Sequence, residues 1–146
     1  MKVIFLDFDG VLNSEKYVRG KEGLVLDPKC MARLKKIVDA TRACIVLTTS
    51  WREHWQQNAL GTQMDAIFGE YGLKIYDKTP LTPGQRPDQI KAWLDAHPET
   101  RGYVVLDDRL MYADFLKGRM VKTSNYYDGL DEEDTQQAIR ILNEEN

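Results

Sequence analysis

Three short runs in this chain are apolar throughout, and each stops at an oxygen-bearing side chain. Val3–Leu6 leads into Asp7, Ala43–Leu47 into Thr48, and Tyr103–Leu106 into Asp107 and Asp108. Apolar residues without alternation mark strands covered on both faces, as in a parallel sheet. A strand interior does not take carboxylates, because a buried charge loses hydration and needs a partner to offset the loss. The pair Asp7-Phe8-Asp9, followed by Gly10, therefore belongs at the end of a strand (Val3–Phe8) that opens onto a site.

The stretches between these runs have helical spacing. Gly10 to Leu26, with Gly20 and Gly23, reads as irregular. Asp27-Pro28 reads as an N-cap followed by a first-turn proline, opening a helix whose inner face is Met31, Leu34, Ile37 and Val38. Trp51 to Tyr71 predicts two helices broken near Gly61, and Leu73–Tyr76 a third strand. The loop T-P-L-T-P-G-Q-R-P (Thr79 to Pro87) leads into a helix with Ile90, Trp93 and Leu94 inward. Met120–Thr123 predicts a short strand. Asp131-Glu132-Glu133-Asp134 opens a last helix, where acids suit the helix dipole and Ala138, Ile139 and Leu142 face inward. Strands alternating with helices predict an α/β, Rossmann-like parallel sheet of about five strands with helices on both faces. Ligands bind such sheets outside the carboxyl ends of the strands, where Asp7, Asp9, Thr48, Asp107 and Asp108 all fall.

A length of 146 residues predicts one domain spanning 1–146. Net charge is −3, so there is no global basic field to draw in nucleic acid, although a local basic groove is compatible with that balance. Cys30 and Cys44 have no C-x-x-C or zinc spacing and read as small buried residues of a reducing compartment. The opening Val3–Leu6 is too short for a signal peptide or a membrane span. The expectation is a cytoplasmic protein without a membrane partner, and nothing in the sequence specifies an oligomeric state.

Asp7, Asp9, Asp107 and Asp108 in one cluster would repel and raise each other's pKa. A hard cation removes the conflict, and carboxylates with water are what Mg²⁺ prefers. An ionised aspartate can attack phosphorus to form an aspartyl-phosphate. A second carboxyl can protonate the leaving oxygen and later activate water, while a hydroxyl and a cation hold the remaining phosphoryl oxygens.

The pattern resembles the haloacid dehalogenase (HAD) superfamily, dominated by phosphatases, over nearly the whole chain. Its first motif, D-x-D-G-x after an apolar strand, is Asp7-Phe8-Asp9-Gly10-Val11. The resemblance implies that Asp7 is the nucleophile and a Mg²⁺ ligand, and that Asp9 is the general acid/base, binding the metal through its carbonyl. An acid at Asp9 implies rapid hydrolysis of the phosphoenzyme. Thr48, ending Ile45-Val46-Leu47, matches the phosphate-binding hydroxyl of the second motif, with Ser50 as fallback. Asp107-Asp108 match the fourth motif, Asp108 as direct metal ligand and Asp107 assisting or acting through water. The third motif departs: the superfamily's lysine is replaced by Arg86, with Lys78 and Lys91 as rivals. A guanidinium binds phosphate in bidentate fashion, but the two cations are not interchangeable.

Both places where the superfamily inserts cap domains span only roughly forty residues here, most of them needed by the core, which implies a capless, open site. Open sites suit phosphoryl groups on large molecules. The chain is similar to small HAD domains of bacterial and phage RNA-repair systems, sharing D-F-D-G-V-L-N, a Ser/Thr-rich second motif followed by Trp-Arg, and L-D-D. It also resembles the phosphatase half of polynucleotide kinase–phosphatases. The implied activity is a Mg²⁺-dependent phosphomonoesterase, acting on nucleotide or polynucleotide phosphate ends. Asn13, Trp51 and Arg52 are candidates for the substrate entrance, against core packing for the Trp51–Trp55 helical face. Tyr126-Tyr127 reads as loop packing, with substrate contact as the alternative. Two further classes remain open: a receiver-type phosphoryl- or metal-binding regulatory module, and a metal-dependent nuclease using the acids alone.

Overall fold

Each apolar run forms a strand, and their registers bring the strand ends to one rim. The computed structural model describes residues 1–144. β1 (Lys2–Leu6) is the central strand of a parallel five-stranded sheet, flanked by β2 (Cys44–Leu47) and β4 (Gly102–Asp107). β3 (Ile75–Lys78) and β5 (Met120–Lys122) are the edges, in the order β3-β2-β1-β4-β5. Leu6 sits opposite both Leu47 and Leu106, so Asp7, Thr48 and Asp107 follow side by side. The ladder runs on into them: Asp7 N donates to Leu106 O at 3.2 Å and Thr48 N to Leu6 O at 2.9 Å. The chain leaves β1 toward β2 and β3, then returns to the other side of β1 through β4. That reversal opens a crevice between the carboxyl ends of β1 and β4.

Alternate strand residues feed two cores. Ile4, Leu6, Ile45, Leu47, Val104 and Leu106 face one layer of helices. That layer is α2 (Pro28–Thr41), α3 (Ala59–Glu70) and α5 (Glu132–Asn143). Val3, Phe5, Val46 and Val105 face Ile90 and Trp93 of α4 (Arg86–Ala96) on the other side. The caps are local: the Asp27 carboxylate accepts the Lys29 N–H at 2.9 Å with Pro28 at the first position of α2. Asp131 and Asp134 exchange bonds in a capping box that opens α5.

Several predicted boundaries move. The expected irregular stretch contains a short helix, α1 (Glu15–Val18), capped by the Ser14 hydroxyl. The break in the 51–71 segment falls before Gly61, between a 3₁₀ turn at Ser50–His54 and α3, which Asn58 caps. Gly61 lies inside the helix because the 3₁₀ turn packs onto it: a Cβ there would sit 2.1 Å from His54 O. β3 lies two residues later than the predicted Leu73–Tyr76, with Leu73 buried just before it. In α5 it is Ile141, with Ala138 and Leu142, that is buried, while Ile139 is only partly covered.

Only core elements join the first and second motifs (α1, α2) and the second and fourth (the 3₁₀ turn, α3, β3, α4). Among the described residues there is no inserted cap. Cys30 and Cys44 are free thiols. No helix among the described residues is long and apolar enough to cross a membrane.

Candidate active site

Arg86, the first residue of α4, reaches across the crevice. Its Nη1 lies 2.9 Å from Asp7 Oδ2 and 2.8 Å from Asp107 Oδ2. Among the described residues those are its partners, which leaves Nε and Nη2 for other acceptors. Asp7 Oδ1 accepts the Phe8 N–H at 2.9 Å, and Asp107 Oδ1 accepts the Arg109 N–H at 2.9 Å. Asp108 Oδ2 accepts from Asn125 Nδ2 at 3.0 Å. Asp7, Asp107 and Asp108 each place one oxygen within 4.8 Å of the others.

Gly10 makes this crowding possible. Its φ of +82° turns the chain back behind Asp7, and a Cβ would lie 2.7 Å from Asp108 Cγ. A side chain there is both strained and blocked. Thr123, just past β5, holds the turn by donating its hydroxyl to Gly10 O.

The electrostatics are those of too many anions for one cation. Burial pushes the Asp7 carboxyl up to about 6, Arg86 pulls against that, and Asp107 adds to it. Burial and then Asp107 also raise Asp108. Desolvation alone would loosen the Arg86 proton, but Asp7 and Asp107 together outweigh it and hold the guanidinium charged. An oxygen-only donor set, buried at Asp7 and Asp107 and half-buried at Asp108, and short of positive charge suits a hard divalent cation. The residues present therefore fit a hard divalent metal ion.

Thr48 lies beside Asp7 in register. Its Oγ1 is fully buried and finds no hydrogen-bond partner among the described residues. Such an orphaned hydroxyl costs about 1–3 kcal/mol until something accepts or donates to it. Ser50 is exposed at the start of the 3₁₀ turn, and Thr49 Oγ1 is taken by the Trp51 N–H.

Asp9 is exposed, yet its carboxylate is held on both sides. Trp51 Nε1 donates to Oδ2 at 3.0 Å and Asn13 Nδ2 to Oδ1 at 3.1 Å. Asn13 is itself buried, accepting the Gly10 N–H and donating to Val25 O. Trp51 and Asn13 thus orient the Asp9 carboxylate. Asn13, in an irregular turn where i,i+4 spacing carries no meaning, Trp51 and Asn125 gave no local signal of these contacts.

Arg52 needs correction as an entrance residue. It is 6% exposed, and its five N–H groups go to Thr48 O, Thr49 O, Thr79 O, Pro80 O and Gln89 Oε1. With every donor used, it ties the end of β2 to the β3–α4 loop. The two rival cations are also engaged elsewhere: Lys78 Nζ donates to Arg52 O and Trp55 O, and Lys91 pairs with Asp95 on the exposed side of α4. Of the three, Arg86 stands at the acids.

In comparison with known proteins, a family model described as the HAD domain in Swiss Army Knife RNA repair proteins matches residues 3–135. No curated protein and no solved structure matches the chain.

Proposed function

Since the chain belongs to the family of HAD domains in Swiss Army Knife RNA repair proteins, we propose that it is a Mg²⁺-dependent phosphomonoesterase acting on polynucleotide phosphate ends. The observation that carries this reading is the unpartnered Thr48 hydroxyl beside Asp7, a buried group that a phosphoryl oxygen would satisfy. Asp7 and Asp108, the Asp9 carbonyl, and Asp107 through water would hold the Mg²⁺. When bound, it neutralises the crowded carboxylates and polarises a phosphoryl oxygen.

The chain's own groups supply the rest. An Asp7 oxygen attacks phosphorus and forms the acyl phosphate as the P–O ester bond breaks, and Asp9 gives its proton to the departing oxygen. Thr48 and the free Nε and Nη2 of Arg86 hold the non-bridging oxygens. Asp9, now ionised, takes a proton from water, which attacks phosphorus and releases inorganic phosphate and the Asp7 carboxylate. The bonds from Trp51 and Asn13 keep Asp9 aimed through both steps, which favours hydrolysis over a lasting phosphoenzyme. The test is phosphate release with Mg²⁺ from a panel of monoesters that includes 3′- and 5′-phosphorylated oligonucleotides. Turnover that disappears in Asp7→Asn supports the proposal. No release from any substrate, with Asp7→Asn indistinguishable, overturns it.

A further inference from the structure

We propose a second site, outside the catalytic crevice, that binds the strand behind the terminal phosphate: a single-stranded polynucleotide held by its backbone charge and one stacked base. For its place in substrate binding, the inference rests on the phosphomonoesterase reading.

A cavity of about 370 Å³ is walled by α1, the start of α2 and the turn after β5. Four cations line it, Lys16, Lys21, Lys29 and Arg33, with the rings of Tyr17 and Tyr127 among them. Asp27 and Asp128 are the acids of the lining, and the Asp27 carboxylate is engaged in capping α2. The cavity is therefore locally positive in a chain of net charge −3. Lys21 is fixed over the Tyr17 ring, 4.5 Å from its centroid, and Arg33 is fixed by a bond to Leu130 O. Lys16 and Lys29 are exposed, and their ammonium groups have no partner among the described residues. Two tethered and two free cations form a groove that a phosphate backbone can track.

The aromatic component points to a base. Tyr126 and Tyr127 are stacked, with ring centroids 4.6 Å apart and planes 18° apart, yet Tyr127 stays 64% exposed. A stacked pair with its outer face uncovered is a platform that a nucleobase can extend. A phosphopeptide would use the cations and leave this stack bare.

The same backbone segments build the cavity and the catalytic rim. Glu15 N donates to Asn125 O and Lys16 N to Tyr126 O, while the Asn125 side chain holds Asp108. Gly129 presses the turn onto the first-motif loop so closely that a Cβ would meet Asn13 O at 2.5 Å. A strand lying in the cavity therefore rests on the same turn that carries Asn125, the partner of Asp108.

The experiment measures binding of a fluorescein-labelled single-stranded 12-mer by anisotropy in EDTA, where no turnover occurs. It is run on the wild-type protein, on Lys16→Glu/Lys29→Glu, and on Tyr127→Ala, each shown to be folded by thermal melting. We expect the double variant to bind at least about ten-fold more weakly, with a log–log salt slope shallower by roughly 1.4 for two lost phosphate contacts. Its kcat/KM on a phosphorylated oligonucleotide should fall far more than on p-nitrophenyl phosphate. Tyr127→Ala should weaken the 12-mer by about five-fold or more without equal loss toward inorganic polyphosphate. Absence of binding by the wild-type protein at low salt, or equal binding by the double variant, overturns the site. Equal losses of oligonucleotide and polyphosphate in Tyr127→Ala overturn its base contact. Because binding is read without catalysis, failure of the phosphatase reading shows up separately, as absent phosphate release.

Discussion

Arg86→Met takes the guanidinium from two carboxylates that it touches at 2.9 and 2.8 Å. Asp107 is fully buried and Asp7 nearly so, so water does not replace the lost charge. Removing one partner from a buried pair costs about 3–5 kcal/mol when the remaining charge stays ionised. The metal-free variant has an easier route, which is to protonate Asp7. In the wild-type protein that carboxyl titrates at about 6, raised by burial against the pull of Arg86. At pH 7, one unit higher, neutralising it costs about 1.4 kcal/mol, which caps the Asp7 share of the loss. Without Arg86 the Asp7 pKa rises further, so at pH 7 the folded variant holds a proton that the wild type lacks. The deficit of the variant therefore grows as pH rises through this range and shrinks toward pH 5, where Asp7 is protonated in both proteins. Urea denaturation in EDTA should show a loss of about 3 kcal/mol at pH 7, smaller by about 1.4 kcal/mol at pH 5. Phosphate release should fall at least about 100-fold, the effect of losing a preorganised donor. A variant as stable as the wild type, or a deficit that does not change between the two pH values, refutes the idea that Arg86 holds down the pKa of Asp7.

Trp51→Phe preserves the ring packing but removes the bond to Asp9. Steady-state kinetics should show kcat down about ten-fold with little change in KM, as expected for an acid/base held less well in the transition state. Gly10→Ala drives a methyl into Asp108 at positive φ; on the proposed reading Mg²⁺ should raise the Tm of the wild type and raise that of the variant less or not at all, as read by thermal melting with and without the ion. The Asp134 carboxyl in the α5 capping box is raised to about 6 by burial, against the Asp131 N–H bond that lowers it and with the Asp131 carboxylate adding to the rise. Its neutral form is favoured by folding, so its contribution is fully present below its unfolded value and is lost as pH rises through about 6. Asp134→Asn should therefore show a flatter decline of Tm between pH 4 and pH 7 than the wild type, and equal slopes refute it.

Much of the fold was legible locally. Apolar runs without alternation report burial on both faces, and Asp27-Pro28 reports a helix start, because each signal lies within one element and depends on period or capping alone. The rim followed from the same logic: Asp7, Thr48 and Asp107 end strands that could not have carried them inside. Strand order was not legible, since the return of the chain from β3 to β4 beside β1 depends on which helical faces pack together. Nor were side-chain partners. Arg52 and Trp51 are neighbours in sequence, but one turns inward to five acceptors and the other reaches Asp9, 42 residues away. Gly61 looked like a helix break and proved to be a point of close approach. The amino-acid sequence by itself determined which residues had to be buried and where polar chemistry had to emerge. Only tertiary packing decided which donor meets which acceptor, because a hydrogen bond between distant segments depends on ångström-scale placement that no local pattern records.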